Sequence, residues 1–401
     1  MKRRVNYPGD QALGERLQSY RKLRGLSQRE LAARSGVALS LIRKVEQGER
    51  KSVRIETVRA WATALDVTTT ALLGPVPETE QQSGNGDRLA PLRQALQGLP
   101  ADVEDVPTAD GLRSAIASAV RLYHDDEYAE LTTILPVLVK EAQTLVEQGG
   151  PEALAVRARV LQLVGSLATQ TRAFGVAEIA LEGAVTDAIE TGDRVEAASA
   201  VITSCWLLLR RRRLDEARSR AVDWADEIEP RMSRATSTEL SAWGWLLLRG
   251  SAAAIRDNRP DEADEMMRLA LSGAVRTGRE HSSYHEYVTT FGPATVQMKR
   301  VENAVIEHQP ERALRLAREV PPGSRPTSDN RNRHLLDVAN AHVMLREYDK
   351  ALDTLSQLAR EAPAWLPNQR YAKDMLQTIV GRRRTLTPEM RKLANAVGLE
   401  P

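Results

Sequence analysis

The chain holds little of what a secreted, membrane-spanning or β-rich protein needs. Cys205 is its single cysteine in 401 residues, so no intramolecular disulfide can form and no CxxC metal pair exists, which fits a reducing compartment. Aromatic residues make up 4% of the chain and include two Phe, so the core must be built mainly from Leu, Ala and Val. With Arg, Glu and Ala filling the surface, that alphabet favours helices over sheets, which need more Ile, Tyr, Phe and Thr. The chain therefore reads as all-α. The longest apolar runs, such as Trp206 to Leu209 and Trp243 to Leu248, fall far below the roughly 20 residues that cross a bilayer. Met1-Lys2-Arg3-Arg4 has the charge of an export signal, but Asn6, Tyr7, Pro8, Gly9 and Asp10 follow where an apolar stretch would be required. A cytoplasmic protein with no membrane partner is the expectation. G-x-S-x-G, P-loop and G-x-G-x-x-G strings are also missing, so neither a cofactor nor an enzymatic activity is expected.

Charge is unevenly spread. The net charge is only +2, yet residues 1–74 carry 15 Lys or Arg against 7 acids, which leaves the rest net acidic. Such a basic head on a body that does not itself favour phosphate is the electrostatic footprint of a nucleic-acid-binding domain. At this length two or more folding units are expected. We divide the chain into a head at 1–74, a polar, Pro-punctuated linker at 75–110 with one short helix around Leu89 to Leu96, and a helical body at 111–401. The linker composition predicts a tethered head.

The head parses into five short helices. Leu13, Leu17 and Tyr20 recur at helical spacing and end near Gly25. Ser27-Gln28-Arg29-Glu30 is a capping box that starts a second helix running to about Ser35. Gly36 permits a tight turn, and a third helix from about Leu39 to Gln47 is ended by Gly48. Its Ile42 and Val45 face inward, so Leu39, Ser40, Arg43 and Lys44 project outward. Ile55, Val58, Trp61 and Leu65 form a fourth helix, and Leu72 and Leu73 close a fifth.

Three strings, Leu26-Ser27-Gln28-Arg29-Glu30-Leu31-Ala32, Gly36-Val37 and Ile42-Arg43-Lys44-Val45-Glu46-Gln47-Gly48, closely resemble the phage-repressor (Cro/C1, XRE) class of helix-turn-helix. The resemblance implies a five-helix, lambda-repressor-like domain that reads a duplex DNA operator. It implies that Gln28 anchors a phosphate and that Leu39, Ser40, Arg43 and Lys44 face bases or nearby phosphates. The chemistry suits those places: Lys44 can donate to guanine O6 or N7, Ser40 to either base type, and Leu39 can pack on a thymine methyl. Arg50, Lys51 and Arg54 have the character of phosphate clamps. Arg21 and Glu46 match a family pair that ties the first helix to the end of the third. Ala38 departs from the usual Ser or Thr cap of the third helix, forfeiting about 0.5–2 kcal/mol. One such head touches few base pairs, so discrimination among genomic sites calls for a homodimer reading two half-sites.

In the body, short helices of similar pattern recur at Ala173 to Ile189, Leu214 to Ile228, Pro260 to Val275, Pro310 to Val320 and Tyr348 to Ala362. Their Ala177, Ala217, Ala263, Ala313 and Ala351 lie 40, 46, 50 and 38 residues apart. A small residue at each crossing lets paired helices approach closely. The body resembles a degenerate tetratricopeptide array, a solenoid of helix pairs. A helix-turn-helix joined to such an array is similar to peptide-sensing, quorum-sensing regulators of Gram-positive bacteria. Thr290-Phe291-Gly292-Pro293 and His334-Leu335-Leu336-Asp337-Val338-Ala339 bring it nearer to actinomycete regulators of this architecture. The resemblance implies an effector, either a peptide or a small molecule.

The scarce aromatics gather on the first helices of consecutive repeats: Trp206, Trp243 and Trp245, then Tyr284, Tyr287 and Phe291. Those helices line the concave face of a solenoid, so Trp206, Trp243, Tyr287 and Phe291, with Asn303 and Asn340 as polar contacts, are candidate effector residues in an extended groove. Ordinary inter-repeat core is the competing role. His281 and His285 share a helical face at i, i+4, but without an HExxH order or a third ligand no metal is expected. Two readings follow: a transcriptional regulator whose body senses an effector and dimerises, or a repeat scaffold that binds a protein partner with DNA contact secondary.

Overall fold

The computed structural model describes residues 13–50, 53–74, 89–98, 106–282, 290–321, 327–382 and 387–399. The head comprises α1 (Leu13–Leu23), α2 (Gln28–Ser35), α3 (Leu39–Glu46), α4 (Ile55–Leu65) and α5 (Thr69–Leu73). The capping box forms as its residues require: Ser27 Oγ accepts from the Glu30 amide at 3.2 Å, and the Glu30 carboxylate accepts from the Ser27 amide at 2.7 Å. Leu17, Leu31, Ile42, Val45, Val58, Trp61, Leu65 and Leu72 are buried around one core, each worth roughly 1.5–3 kcal/mol as removed apolar surface. Gly14 permits the tightest contact, since a Cβ there would stand 2.0 Å from the Val45 carbonyl oxygen. That absence lets α1 rest directly on the end of α3.

The stretch expected to be linker holds the short helix expected there. Within it, α6 (Ala90–Gln97) forms, and Leu89, Leu92 and Ala95 join the same apolar cluster as the first helices of the body.

The body is a run of six helix pairs. These are α7 (Ala109–His124) with α8 (Tyr128–Glu147), α9 (Pro151–Gln170) with α10 (Phe174–Glu190), and α11 (Arg194–Arg210) with α12 (Leu214–Glu227). Then come α13 (Ser237–Arg256) with α14 (Pro260–Thr277), α15 (Pro293–Ile306) with α16 (Pro310–Arg318), and α17 (Ser328–Met344) with α18 (Tyr348–Glu361). A 3-10 turn at Leu366–Asn368, α19 (Arg370–Val380) and α20 (Pro388–Ala396) follow.

One backbone device turns every pair. Asp126, Arg172, Arg212, Asn258, His308 and Arg346 each adopt a left-handed φ between 58° and 65°. The next amide in each turn donates back to a carbonyl in the last turn of the first helix, as in Arg213 N to Leu208 O and Glu347 N to His342 O, both 2.9 Å. Three residues into the second helices lie Ala177, Ala217, Ala263, Ala313 and Ala351, all fully buried. The α7/α8 pair escapes a search for that alanine because Leu131 holds its place.

The pairs curl until the first meets the last. Tyr123 Oη on α7 donates to Asp329 Oδ2 on α17 at 2.9 Å, and one apolar cluster runs from Leu112 and Tyr123 through to Leu336, Trp365 and Met375. The concave face is therefore a cavity of about 340 Å3, lined from α7, α9, α11, α13, α15 and α17, and not the extended groove the repeat pattern suggested. Among the described residues, one departure from all-helical structure interrupts the body. β1 (His281–Ser282) pairs antiparallel with β2 (Thr290–Phe291), His281 opposite Phe291, so Phe291 sits on a strand and not on a first helix.

Candidate nucleic-acid interface and central cavity

On α3, Ile42 and Val45 are buried while Ser40, Arg43 and Lys44 are exposed and Leu39 is half-buried. The amphipathic spacing alone produces this: two inward residues at i and i+3 leave the intervening positions outward. Arg50 is exposed just beyond the helix, and Lys51 lies outside the described residues. Ala38 begins α3 with no side-chain cap.

Behind that face, the orientation of α3 is fixed by a buried ion pair. Arg21 Nε and Nη2 donate to the two Glu46 carboxylate oxygens, each at 2.7 Å, and Arg21 Nη1 donates to the Leu26 carbonyl at 2.8 Å. Gln28 Nε2 donates to the same carboxylate at 2.8 Å, so in this arrangement its amide braces the pair. Burial works to raise the Glu46 pKa, but the bonds from Arg21 and Gln28 outweigh it and hold the carboxyl below its ordinary value.

The head is docked on the body, contrary to the tethered arrangement its linker suggested. At the α13/α14 turn, Asp257 Oδ1 accepts from the Thr70 amide at 2.7 Å and from Thr70 Oγ1 at 2.6 Å. Thr69 Oγ1 donates to the Arg256 carbonyl, and Asn258 bonds Val67 and Thr63. Arg59 of α4 donates to the carbonyls of Ile255 and Ile306, the C-terminal ends of α13 and α15. A cation there also meets the negative ends of two helix dipoles. Arg54, expected at a phosphate, instead faces α19, with Asp374 at 3.6 Å and Gln377 at 3.4 Å. The outward face of α3 is left open, because docking uses α4 and α5.

Docking also makes the head part of the cavity wall: Ile55, Glu56 and Arg59 line it together with the six first helices. Of the candidate effector residues, Trp206 and Asn340 line this cavity. Trp243, Phe291 and Asn303 do not. Trp243 and Phe291 are core: the Phe291 ring fills a notch over Gly244, where a Cβ would stand 2.1 Å from it, and Trp243 packs beside Gly273. Asn303 is buried, donating to Ser251 Oγ at 3.0 Å between α15 and α13. Tyr284, His285 and Tyr287 lie outside the described residues, and among the described ones no group of His, Cys, Asp and Glu is arranged for a metal. Cys205 is buried, and burial pushes its thiol up to about 12, which makes it inert.

The sequence notes Trp245 among the gathered aromatics without marking it as a contact and gives no such role to Arg210 and Arg249, yet all three are in the cavity wall. A signal was there. The string Trp-Leu-Leu-Leu-Arg occurs twice, at 206–210 and 245–249, and each copy puts a Trp and an Arg on one face of adjacent first helices at i, i+4.

The helix-turn-helix family model matches residues 17–72, so the N-terminal unit is a helix-turn-helix domain. Over 68 residues the chain is 35% identical to the HTH-type transcriptional regulator SinR of Bacillus licheniformis. That match covers 17% of this chain and 61% of the relative's length. No solved structure matches the chain. No helix among the described residues is long and apolar enough to cross a membrane.

Proposed function

We propose that the protein is a sequence-selective, duplex-DNA-binding transcriptional regulator whose body takes up an effector in its central cavity and thereby changes how the head is held. The observation that carries this is the head's double engagement. The open face of α3 presents Ser40, Arg43 and Lys44, while the opposite side of the same domain, through Ile55, Glu56 and Arg59, walls the cavity. A ligand that fits the cavity in only one head position favours that position, and a coupling of about 1–3 kcal/mol is enough to alter operator affinity 5–150-fold. The name of the SinR relative and the basic balance of residues 1–74 support the same reading. Two copies reading two half-sites supply the needed discrimination. The repeat body, read as tetratricopeptide-like, is the element that would join them.

Selection of bound duplexes from a random library by the full-length protein tests the proposal. One enriched, two-fold symmetric motif bound with a steep salt dependence is expected. Weak binding of every duplex alike would overturn it in favour of a protein-binding scaffold.

A further inference from the structure

The wall of the cavity holds more positive charge than it neutralises. Seven cationic side chains line it against three carboxylates. Of those three, Glu302 is already held by Arg256, by Lys299 at 2.9 Å and by Arg333 at 3.7 Å. Asp329 accepts from Tyr123, and burial pushes its pKa up, towards the neutral form. Glu56 belongs to the head and is exposed.

Arg210 and Arg249 lie near enough to Asp329 to favour its charged form, but neither forms an ion pair with it. Among the described residues neither meets a carboxylate, and the Nε of each is sealed from solvent with no acceptor. Arg210 Nη2 donates to the Gln170 carbonyl at 3.4 Å, and beyond that both groups rest on aromatic rings. Both guanidinium groups lie about 6 Å from the Trp206 ring centre, at 5.8 and 5.9 Å, and Arg249 lies 4.9 Å from that of Trp245. Stacking on indole orients a guanidinium but does not replace a counter-ion. Burial pulls both pKa values down to about 10, so both groups stay charged at neutral pH while, among the described residues, no carboxylate is in direct contact with either.

We propose that this cavity binds a small organic anion, its carboxylate or phosphate group bonded by Arg210 and Arg249 and its apolar part resting on the wall formed by Trp206, Leu248 and Val305. The proposal rests on the effector-binding role of the cavity and names the ligand class. A guanidinium pair gives planar, paired donors that match a carboxylate or phosphate. About 340 Å3 admits a small molecule or the last residues of a peptide, not a long segment. A free acid and a peptide C-terminus share this chemistry, and the test separates them.

Full-length protein is titrated with benzoate and phenyl phosphate, and with benzamide as a neutral match, following Tm and heat of binding. Both anions are expected to raise Tm, and benzamide to leave it unchanged. A tripeptide with a free C-terminus binding better than its amide identifies the peptide source; acid and amide binding equally weakly beside tight benzoate identifies the free acid. Arg210→Met and Arg249→Met are each expected to weaken the anions at least tenfold while leaving the ligand-free Tm equal to or above the parent's, because each removes an uncompensated charge. A structural arginine would lower it. Benzamide binding as well as benzoate, or both variants keeping the anion response, overturns the proposal. The effector reading fails separately: if anions bind through Arg210 and Arg249 but leave operator affinity untouched, the anion site stands and its regulatory role falls.

Discussion

Two buried arginines in this chain have opposite fates. Arg21 in the head has a bidentate carboxylate, braced by Gln28, and a carbonyl, so each guanidinium nitrogen has an acceptor. Arg249 in the body stacks on two indoles, and among the described residues its buried Nε meets no acceptor. A low-dielectric interior makes a paired charge rigid and an unpaired one costly. The head therefore uses buried polarity to hold a surface still, whereas the body leaves a buried guanidinium without a carboxylate, the place the proposed anion would fill.

The largest effect should come from opening the head's closed site. Glu46→Ala leaves Arg21 buried without its counter-ion and should destabilise α1 to α3 by about 3–5 kcal/mol, read as faster hydrogen exchange of their amides in the full-length protein. Unchanged exchange would mean that the pair is ornamental. Acid should act in the same direction. The folded Glu46 pKa lies below its ordinary 4.5, so the pair's contribution is complete above that value and is lost as pH falls through the folded one. Glu46→Gln should flatten that acid slope.

Exposed cations of the head mark the other edge of the contrast, since Arg43 and Lys44 stand on the outward side of α3 and Arg50 just beyond it. Lys44→Ala should lose about 1–3 kcal/mol for the preferred sequence and relax its base preference. Arg50→Ala should weaken all duplexes alike and lower the salt slope by about one. Equal, sequence-blind losses from both would remove Lys44 from base reading.

Where head and body meet, the two styles of polarity can be compared directly. Asp257→Ala deprives the Thr70 amide and hydroxyl of their acceptor, a loss of about 1–3 kcal/mol from docking. Exchange at α5 should rise while α3 keeps its protection. If α3 loosens equally, the head is not a unit separate from its dock.

The contrast also explains what could be read beforehand. Head positions follow local rules: Ser27 and Glu30 cap a helix, and Ile42 and Val45 fix which side of α3 points out. Repeat positions were found where an alanine marked them and lost at Leu131, where it did not. Effector residues were chosen by aromatic content, which cannot separate Trp243, buried under Gly273, from Trp206 on the cavity wall. Curvature decides that, and it depends on distant contacts such as Tyr123 with Asp329. Head docking was hidden for the same reason: Thr70 and Asp257 stand 187 residues apart.

The smallest effect lies within the body, at the left-handed turns. A non-glycine residue there costs roughly 1–2 kcal/mol in backbone strain, and glycine would relieve it while giving back about 0.4–1 kcal/mol through a freer unfolded chain. Arg346 is exposed and among the described residues its side chain makes no bond, so Arg346→Gly should stabilise the full-length protein by up to about 1 kcal/mol. Asp126 occupies the same backbone position but is buried and accepts from Tyr128 Oη at 2.8 Å. Asp126→Gly strands that hydroxyl, a loss of about 1–3 kcal/mol that exceeds the strain relieved. Thermal melts of the two variants should therefore move in opposite directions. Parallel shifts would mean that backbone strain, and not side-chain bonding, decides what these turns tolerate.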